Sequence, residues 1–402
     1  MHRRTAAGVR NSPCMRAVPV VLACSLAAAG CDAMVPESSA SAPVIGGSDA
    51  PPGKWPDVAA VLFPIGGEVP LCTGTLVAPT VVLTAGHCYD RNSAVVLPDS
   101  VLIGTSSLDR PGDGETIPIA RGQVYPDAAT TEDLAVLILA RPSTLPPRQI
   151  VDGWARADLV NGAAISLVGF GAIDRAGMVY VDQLQEATTT ITDVDCSASP
   201  GCNPVAQPAG ELGAGGMGVD TCPGDSGGPL YLSTSYGAVL AGVTARSYDN
   251  ARFPCSEGGI YVRPDKVLDW IERVAGVPVA RVSSPTAPRV MTEDRCGTAR
   301  IAVNDPASQS HTFRVSTPPA HGTATVDPDG TVRACTDPGA PDDDHVVVTI
   351  SDDTPSANRS LAVTIPIETA GCCDAGGRPG GAIPLAIGVL ALARRRRRGP
   401  RG

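Results

Sequence analysis

Short apolar runs alternate with turn-forming residues throughout residues 44–276, and this pattern is the main structural signal in the chain. Runs of this length that are bounded by turns are typical of β-strands. Their regular spacing predicts β-barrels or a β-sandwich, and therefore an all-β fold class. The predicted strands are 58–62, 74–77, 81–85, 101–103, 134–139, 164–170, 188–191, 239–243 and 260–262.

One helix and a second β-rich region follow these strands. Pro264 and Asp265 give the helix its start, and its apolar stripe consists of Val267, Leu268, Ile271 and Val274. A linker rich in Val, Ser and Pro is predicted over 277–291. Further apolar or alternating runs predict a small β-sandwich domain over 292–369, and they lie at 313–315, 323–326, 346–350 and 361–367.

The N-terminal residues predict export. Within residues 1–31, arginines precede an apolar run that ends in small residues before Cys31, which is the pattern of a signal peptide. The segment 26–31 also resembles a bacterial lipoprotein box. Two interpretations therefore stand: lipidation of Cys31, or ordinary signal cleavage nearby. Residues 32–43 are rich in Ser, Ala and Pro and predict a pro-segment or tether.

The C-terminal residues 370–402 predict sorting or anchoring. They combine Cys372-Cys373, a short apolar run and five consecutive arginines. This arrangement resembles the C-terminal sorting signals of myxobacterial surface proteins. A plain tail anchor held by positive-inside charge is the other interpretation. Both place the protein outside the cytoplasm.

Composition narrows the function classes. Only 3 % of the residues are aromatic, while 44 Gly and 38 Pro favour a turn-rich β architecture over a helical bundle. The formal net charge of -10 argues against a nucleic-acid partner. The 13 cysteines, together with the apolar N-terminal segment, indicate an oxidising compartment.

A small-residue turn around Ser226 is the strongest candidate for chemistry. A nucleophilic serine needs an exposed hydroxyl and backbone N–H groups that converge on a developing oxyanion. Gly224 and the pair at 227–228 give the turn this freedom. Asp225 is placed to hold the turn, and Asp220 lies six residues before the serine. The alternative is a plain Gly-rich surface loop.

Two upstream residues complete a candidate constellation. His87 follows a predicted strand and is the only histidine in residues 44–274, so it has no rival there as a general base. Asp133 begins a strongly apolar strand, where a charge is costly unless it is paired. Such an aspartate suits the orientation of an imidazole. The alternatives are an ordinary surface or core histidine and a strand-initiating aspartate.

Four motifs together resemble the trypsin/chymotrypsin family of serine endopeptidases over residues 44–276. They are Val-Ile-Gly-Gly at 44–47, Thr-Ala-Gly-His-Cys at 84–88, Asp-Leu-Ala at 133–135 and Gly-Asp-Ser-Gly-Gly-Pro at 224–229. The resemblance implies two packed β-barrels, with the active site in the cleft and a C-terminal helix. It makes His87 the general base, Asp133 its orienting partner and Ser226 the nucleophile. The N–H groups of Gly224 and Ser226 would form the oxyanion hole.

The same resemblance implies disulfides and an activation step. It pairs Cys72 with Cys88 and Cys222 with Cys255. The family's usual cysteine is missing from 212–215, so Cys196 is expected to bridge locally to Cys202. Separately, Cys296 and Cys335 are candidates for a bridge inside the predicted sandwich. Activation would free the amine of Val44 to pair with Asp225. Pro43 stands where Arg or Lys is usual, so another protease is expected to make that cut.

The resemblance also assigns a substrate pocket with unusual walls. Asp220 would lie on its floor and Gly259 on its wall, which implies cleavage after Arg or Lys. Ala245, Arg246 and Ser247 replace the family's usual Ser, Trp and Gly along the substrate channel. Arg246 is a possible competitor for Asp220.

The second β region resembles cadherin-like or immunoglobulin-like modules of bacterial surface proteins, through residues 316–331. The acidic run 342–344 has two interpretations, a calcium ligand set or a solvated loop, and the second is favoured. The histidines there lack metal-ligand spacing. No metal or cofactor is expected.

The function predicted from the sequence is that of an exported serine endopeptidase acting on proteins or peptides. The expected partners are its substrates, an activating protease and the cell envelope, the last through lipid or a C-terminal anchor. The alternative is a catalytically inert protease fold that serves adhesion or binding.

Overall fold

The computed structural model describes residues 44–64, 72–89, 97–126, 132–206, 210–292, 295–305, 310–341, 343–352 and 360–369. The predicted export signal (1–31), pro-segment (32–43) and sorting segment (370–402) lie outside these residues. Within the described part of the chain, no helix is both long and apolar enough to cross a membrane.

Six antiparallel strands form the first barrel, which closes in the order β2-β3-β4-β7-β6-β5. A four-residue helix, α1 (Gly86–Tyr89), directly follows β4. The barrel interior is filled by small and branched apolar side chains, most of which come from the predicted apolar runs. The strands are β2 (Val58–Leu62), β3 (Cys72–Ala78), β4 (Val81–Thr84), β5 (Ser100–Ile103), β6 (Glu115–Val124) and β7 (Ala135–Leu139).

The second barrel closes because its first strand pairs with two others, β9 and β11. A two-residue strand, β1 (Ser48–Asp49), adds to the edge of β9. The predicted all-β double barrel is therefore confirmed. Its strands are β8 (Ala164–Gly169), β9 (Gln185–Asp193), β10 (Glu211–Ala214), β11 (Pro229–Thr234), β12 (Gly237–Ser247) and β13 (Gly259–Val262).

The predicted helix is α2 (Leu268–Ala275), and a 3₁₀ turn (Pro264–Lys266) precedes it. The predicted apolar stripe is buried against the barrels. Gly276 ends the helix in the left-handed conformation, with φ of 70°.

A cluster of charged and aromatic side chains joins the two barrels. Asp57, which precedes β2, is buried and accepts hydrogen bonds from Arg148 and from the Tyr231 hydroxyl of β11. The Trp55 and Tyr231 rings stack with centroids 4.6 Å apart. Burial, together with the adjacent Asp57 charge, raises the pKa of Tyr231 well above its usual value, so its hydroxyl remains a donor. The cluster therefore links both barrels to the segment that connects them.

Two sheets form the C-terminal domain around one apolar core. The first has the order β14-β20-β19-β16 and the second β15-β18-β17. This is the predicted small sandwich, although its first strand begins two residues inside the predicted linker. The strands are β14 (Val290–Thr292), β15 (Cys296–Arg300), β16 (His311–Thr317), β17 (Gly322–Val326), β18 (Thr331–Thr336), β19 (Asp344–Asp352) and β20 (Ser360–Thr369).

Asp344 is buried, whereas the sequence analysis favoured a solvated loop for the acidic run 342–344. Its side chain is buried and accepts hydrogen bonds from the N–H groups of Ala320, His321 and His345. These bonds lower its pKa despite the opposing effect of burial. It therefore fastens the turn between β16 and β17.

The segment after α2 packs against the barrels. Ala280 N donates to Val77 O of the first barrel at 2.7 Å, and Ile150 N donates to Ala280 O at 2.8 Å. Val279 and Val282 are buried. The predicted linker is thus a structured connection that contacts both the first barrel and the inter-barrel segment.

Trp154 joins the two barrels to the sandwich. It lies in a 3₁₀ helix (Gly153–Asp158) before β8, yet its fully buried side chain belongs to the apolar core of the C-terminal sheets. Its ring centroid is 5.7 Å from that of His311 in β16. Nearby, the Tyr236 hydroxyl donates to Asn304 O at 3.1 Å. The barrels and the sandwich belong to one compact unit.

We predict that Trp154→Ala destabilises the full chain by about 3–5 kcal/mol, because it leaves a cavity where the two domains meet. Denaturant unfolding, followed by the far-UV signal, measures this loss. Trp154→Phe is the matched control and should lose clearly less, since it keeps a ring in the same space. A loss of less than about 1 kcal/mol for Trp154→Ala would contradict the shared core.

Candidate active site

His87 and Asp133 are joined by two hydrogen bonds. The Asp133 carboxylate contacts His87 Nδ1 at 2.7 Å through Oδ2 and accepts the His87 backbone N–H at 2.8 Å through Oδ1. His87 lies in α1, just after β4, and Asp133 lies just before β7, which pairs with β4. The Asp133 side chain is 16 % exposed and that of His87 is 39 % exposed. The imidazole is thus oriented by a shielded carboxylate while it remains partly exposed to solvent.

The Ser226 turn crosses from the second barrel to the first. Ser226 O accepts a hydrogen bond from Thr73 N of β3 at 2.8 Å and lies 3.6 Å from Cys88 Sγ in α1. On the other side, Gly227 N donates to Thr244 O of β12 at 2.8 Å. The predicted nucleophile therefore lies beside the helix that carries His87.

Glycine is required at two positions of this turn. Gly224 has φ of 101° and Gly227 has φ of 81°, both in the left-handed region. A Cβ atom at Gly227 would also lie 2.5 Å from Ala85 N, at the start of α1. The close approach of the Ser226 turn to the histidine helix depends on the missing side chain.

Asp225 is fully buried beneath the turn. Its carboxylate accepts hydrogen bonds from Gly171 N at 2.8 Å and Cys222 N at 2.9 Å. Burial raises its pKa to about 7, because these two N–H groups only partly replace water. Val44, predicted to supply a partner amine, is buried as well, and Ile45 O accepts a hydrogen bond from Asp220 N.

Asp220 lies in a glycine-lined site next to the turn. Its carboxylate accepts hydrogen bonds from Thr221 N at 2.8 Å, Gly258 N at 2.9 Å and Glu257 N at 3.2 Å. Burial raises its pKa to about 6, and these hydrogen bonds oppose that rise. A Cβ atom at Gly259 would lie 3.7 Å from Asp220 Oδ1, so the predicted wall residue does face the carboxylate.

The predicted channel residues follow one another along β12. Ala245 is buried, so its side chain packs inside the domain. Ser247 pairs with Gly259 of β13, and its hydroxyl donates to Pro254 O at 2.8 Å. The strand thus runs directly from the Ser226 turn to the wall beside Asp220.

Arg246 is paired with Glu211 and not with Asp220. Its guanidinium donates to both Glu211 carboxylate oxygens, at 2.8 and 2.9 Å, and to Gly201 O at 2.8 Å. Glu211 is buried in β10 and also accepts a hydrogen bond from Asn203 N. The possible competition of Arg246 for Asp220 is therefore not observed. Glu211 was not predicted as a site residue, because no local sequence signal indicates that its partner lies 35 positions away.

Among the residues that the structure describes there are four disulfides, and two of them brace the site. Cys72–Cys88 ties β3 to α1, and Cys222–Cys255 ties the start of the Ser226 turn to the loop before β13. The other two are Cys196–Cys202 and Cys296–Cys335. The bridges connect the same cysteines that the sequence paired, and the predicted disulfide bonding is confirmed.

The chain is similar to several known proteins. The family model described as Trypsin matches residues 44–271. Human serine protease 56 is 33 % identical over 261 residues, which cover 60 % of this chain and 40 % of that protein. This chain thus spans less than half the length of that relative. Brachyurin from Leptuca pugilator is 28 % identical over 241 residues, covering 58 % of this chain and 99 % of that protein.

Among solved structures, the chain is similar to neuropsin, described as a serine protease expressed in the limbic system of mouse brain. The identity is 26 % and the TM-score is 0.46, and the match covers 57 % of this chain and 98 % of that one. The family model spans more than half of the sequence, together with every element of the site described above. The chain belongs to the trypsin family of serine proteases.

Proposed function

We propose that this protein is an exported serine endopeptidase that cleaves peptide bonds after Arg or Lys. The observation that carries the proposal is the double hydrogen bond from His87 to Asp133 beside the Ser226 turn. An inert binding protein has no need to hold an imidazole in one orientation with a shielded carboxylate. The buried Asp220 carboxylate supports the choice of a cationic side chain.

In the proposed reaction, His87, Asp133 and Ser226 act together. Ser226 Oγ attacks the scissile carbonyl carbon while His87 Nε2 takes its proton. Asp133 holds the Nδ1 proton and stabilises the imidazolium that forms. The N–H groups of Gly224 and Ser226 bind the oxyanion, and His87 returns the proton to the leaving amine. Water then hydrolyses the acyl-enzyme by the same steps, which restores the serine hydroxyl.

Maturation would free the amine of Val44. A carboxylate buried as deeply as Asp225 is stabilised strongly by a nearby ammonium, because its two N–H partners leave it incompletely solvated. The pairing would order the turn that carries Gly224 and Ser226. Because Pro43 precedes Val44, we propose a separate activating protease. The mature protein would be retained at the envelope through Cys31 or the C-terminal segment.

We predict that Ser226→Ala and His87→Ala each lower kcat/KM for peptide hydrolysis by about 10³-fold or more. The two residues act in one proton transfer, so either loss removes the nucleophile's activation. Steady-state assays on chains processed to Val44 measure the effect, and the double variant should be little worse than either single one. Absence of peptide hydrolysis by the processed wild type would contradict the prediction and would support an inert binding protein.

We predict that Asp220→Ser removes a strong preference for Arg or Lys before the scissile bond. A buried carboxylate selects a cation, since a neutral side chain would leave the charge desolvated and unpaired. A peptide library cleaved by wild type and variant measures the change. A wild-type preference for Leu or Phe at that position would contradict the role of Asp220. The same conclusion would follow from an unchanged Arg/Lys preference in the variant.

We predict that cation binding weakens below about pH 6, by about tenfold per pH unit, because protons compete for Asp220. The folded-state pKa is raised, so the ionised form that binds a cation is lost as the pH falls through that value. Calorimetric titration with benzamidinium, which keeps its charge throughout, measures the effect. Asp220→Ser should bind weakly at every pH. Equal wild-type affinity on both sides of pH 6 would contradict the prediction.

A further inference from the structure

A short disulfide loop, residues 196–202, lies beside the strand that borders the Asp220 site. The Cys196–Cys202 bridge closes this loop and spans only 6 positions along the chain. The two longer bridges of the barrels span 16 and 33 positions. Because a bridge over a short loop removes less conformational freedom from the unfolded chain, Cys196–Cys202 contributes less to global stability than they do. Its effect on the structure is therefore mainly local.

The side chain of Arg246 in β12 is anchored to this loop. Its guanidinium donates to Gly201 O, inside the loop, at 2.8 Å. The same guanidinium pairs with both carboxylate oxygens of Glu211. Asn203 N, just after the loop, donates to Glu211 Oε2 at 2.8 Å. The loop and the Glu211–Arg246 ion pair therefore form one hydrogen-bonded unit.

A second contact attaches the loop to the residues that follow β12. Asp249 N donates to Pro200 O at 3.2 Å. A Cβ atom at Gly201 would lie 2.5 Å from Asp249 Oδ1, so the glycine allows this close approach. Residues 246–249 are thus attached to the disulfide loop at both ends.

These attached residues border the Asp220 site. Ser247 pairs with Gly259 of β13. A Cβ atom at Gly259 would lie 2.9 Å from Arg246 O and 3.7 Å from Asp220 Oδ1. The backbone of Arg246 therefore packs directly on the residue that faces the carboxylate. A shift of this backbone would change the space next to Asp220.

The backbone of the loop depends on its closure. Cys196 has φ of 53°, in the left-handed region that a residue with a side chain adopts only at a cost in energy. The bridge ties this residue to Cys202, which directly follows Gly201. Opening the bridge would let the backbone at Cys196 relax, and it would remove the covalent restraint next to the carbonyl group that holds Arg246.

Solvent reaches one end of this bridge. Cys196 is fully buried, whereas Cys202 is partly exposed. All four cysteines of the two longer bridges in the described part of the barrels are buried. Because a thiolate must reach one sulfur to open a disulfide, Cys196–Cys202 is the barrel bridge that an external thiol attacks first, at Cys202.

We propose that the Cys196–Cys202 bridge is a redox-sensitive control of cation binding at Asp220. An external dithiol opens the bridge in two exchange steps. One thiolate of the reagent attacks Cys202 Sγ, and Cys196 leaves as a thiolate. The second thiol of the reagent then displaces Cys202 and closes the reagent to a cyclic disulfide. Two electrons pass from the reagent to the protein, which gains two thiols and no longer fixes Arg246.

This inference rests on the proposed endopeptidase function and separates substrate binding from chemistry. The loop belongs to the second barrel, whereas the hydrogen bonds between His87 and Asp133 lie in the first. The bridge that ties the His87 helix to β3 is buried and stays closed. Opening the loop therefore weakens the binding of a cation and leaves the activation of Ser226 unchanged.

The test compares oxidised and reduced full-length chains processed to Val44. Dithiothreitol is added until alkylation and mass spectrometry show free thiols at Cys196 and Cys202 and closed longer bridges in the barrels. The inhibition constant of benzamidinium should rise about tenfold, comparable to the loss of one hydrogen bond to a charged group. The rate at which an uncharged fluorophosphonate labels Ser226 should change by less than about twofold, because proton transfer to the histidine is unaltered. Reoxidation should restore the affinity.

Two double variants assign the effect to this bridge. Cys196→Ala/Cys202→Ala should bind benzamidinium as weakly as reduced wild type, with no further change when dithiothreitol is added. Cys296→Ala/Cys335→Ala is the matched control, because that bridge is also partly exposed but lies in the sandwich. The control should keep both the wild-type affinity and the wild-type response to reduction.

Arg246→Lys tests the route from the loop to the site. Lysine keeps a positive charge for Glu211 but lacks the planar fork that also reaches Gly201 O. The inhibition constant of this variant should already be raised, and reduction should raise it by less than about a further twofold, since both changes remove the same contact. A full tenfold response to reduction in Arg246→Lys would overturn the proposed route.

Several outcomes would overturn the inference and leave the proposed function intact. The first is an unchanged affinity for benzamidinium after Cys196–Cys202 has been opened. The second is a bridge that stays closed under conditions that open Cys296–Cys335. The third is an equal loss of affinity and of Ser226 labelling, which would show that the bridge serves the fold as a whole. Oxidised wild type that neither hydrolyses peptides nor reacts with the fluorophosphonate would overturn the proposed function itself.

Discussion

The two barrels meet around one buried carboxylate, and the active site depends on that contact. Asp57 would be costly to bury alone, so its ion pair with Arg148 and its hydrogen bond from Tyr231 fix three segments together. His87 and Asp133 belong to the first barrel, whereas Ser226 precedes a strand of the second. A change in the angle between the barrels would therefore separate the proposed base from the nucleophile. The hydrogen bond from Thr73 N to Ser226 O also holds the two barrels together, at the site itself.

Buried carboxylates in this fold are stabilised in two different ways. Asp57 and Glu211 are each paired with an arginine inside the protein. Asp220 and Asp225 instead receive hydrogen bonds from backbone N–H groups, and their pKa values rise to about 6 and about 7. In the proposed function, Asp220 and Asp225 each pair with a cation that the uncleaved chain without substrate does not supply. The substrate provides one and the Val44 amine provides the other.

The sequence predicted the parts of this structure that depend on neighbouring residues. The glycines of the Ser226 turn and the apolar runs of most strands are local signals. Strand β6 was not predicted, because only Ile117 of its ten residues is buried and polar residues interrupt its apolar ones. Two long-range contacts that no motif of the resemblance covers were not predicted: the Glu211 partner of Arg246 and the burial of Trp154 in the sandwich depend on the tertiary fold. Nor does hydrophobic patterning show that Met178 and Val179 are exposed, at 75 % and 49 %, since it normally places such residues inside.

Covalent labelling of the serine tests the proposed endopeptidase most directly. Chains that begin at Val44 would be treated with a fluorophosphonate, digested and examined by mass spectrometry for the adduct. The expected result is a single adduct on Ser226 that is absent from His87→Ala, because only a serine activated by the histidine reacts. Correctly processed, folded chains that remain unlabelled would contradict an active protease. They would instead support the alternative of an inert protease fold that serves as a binding protein.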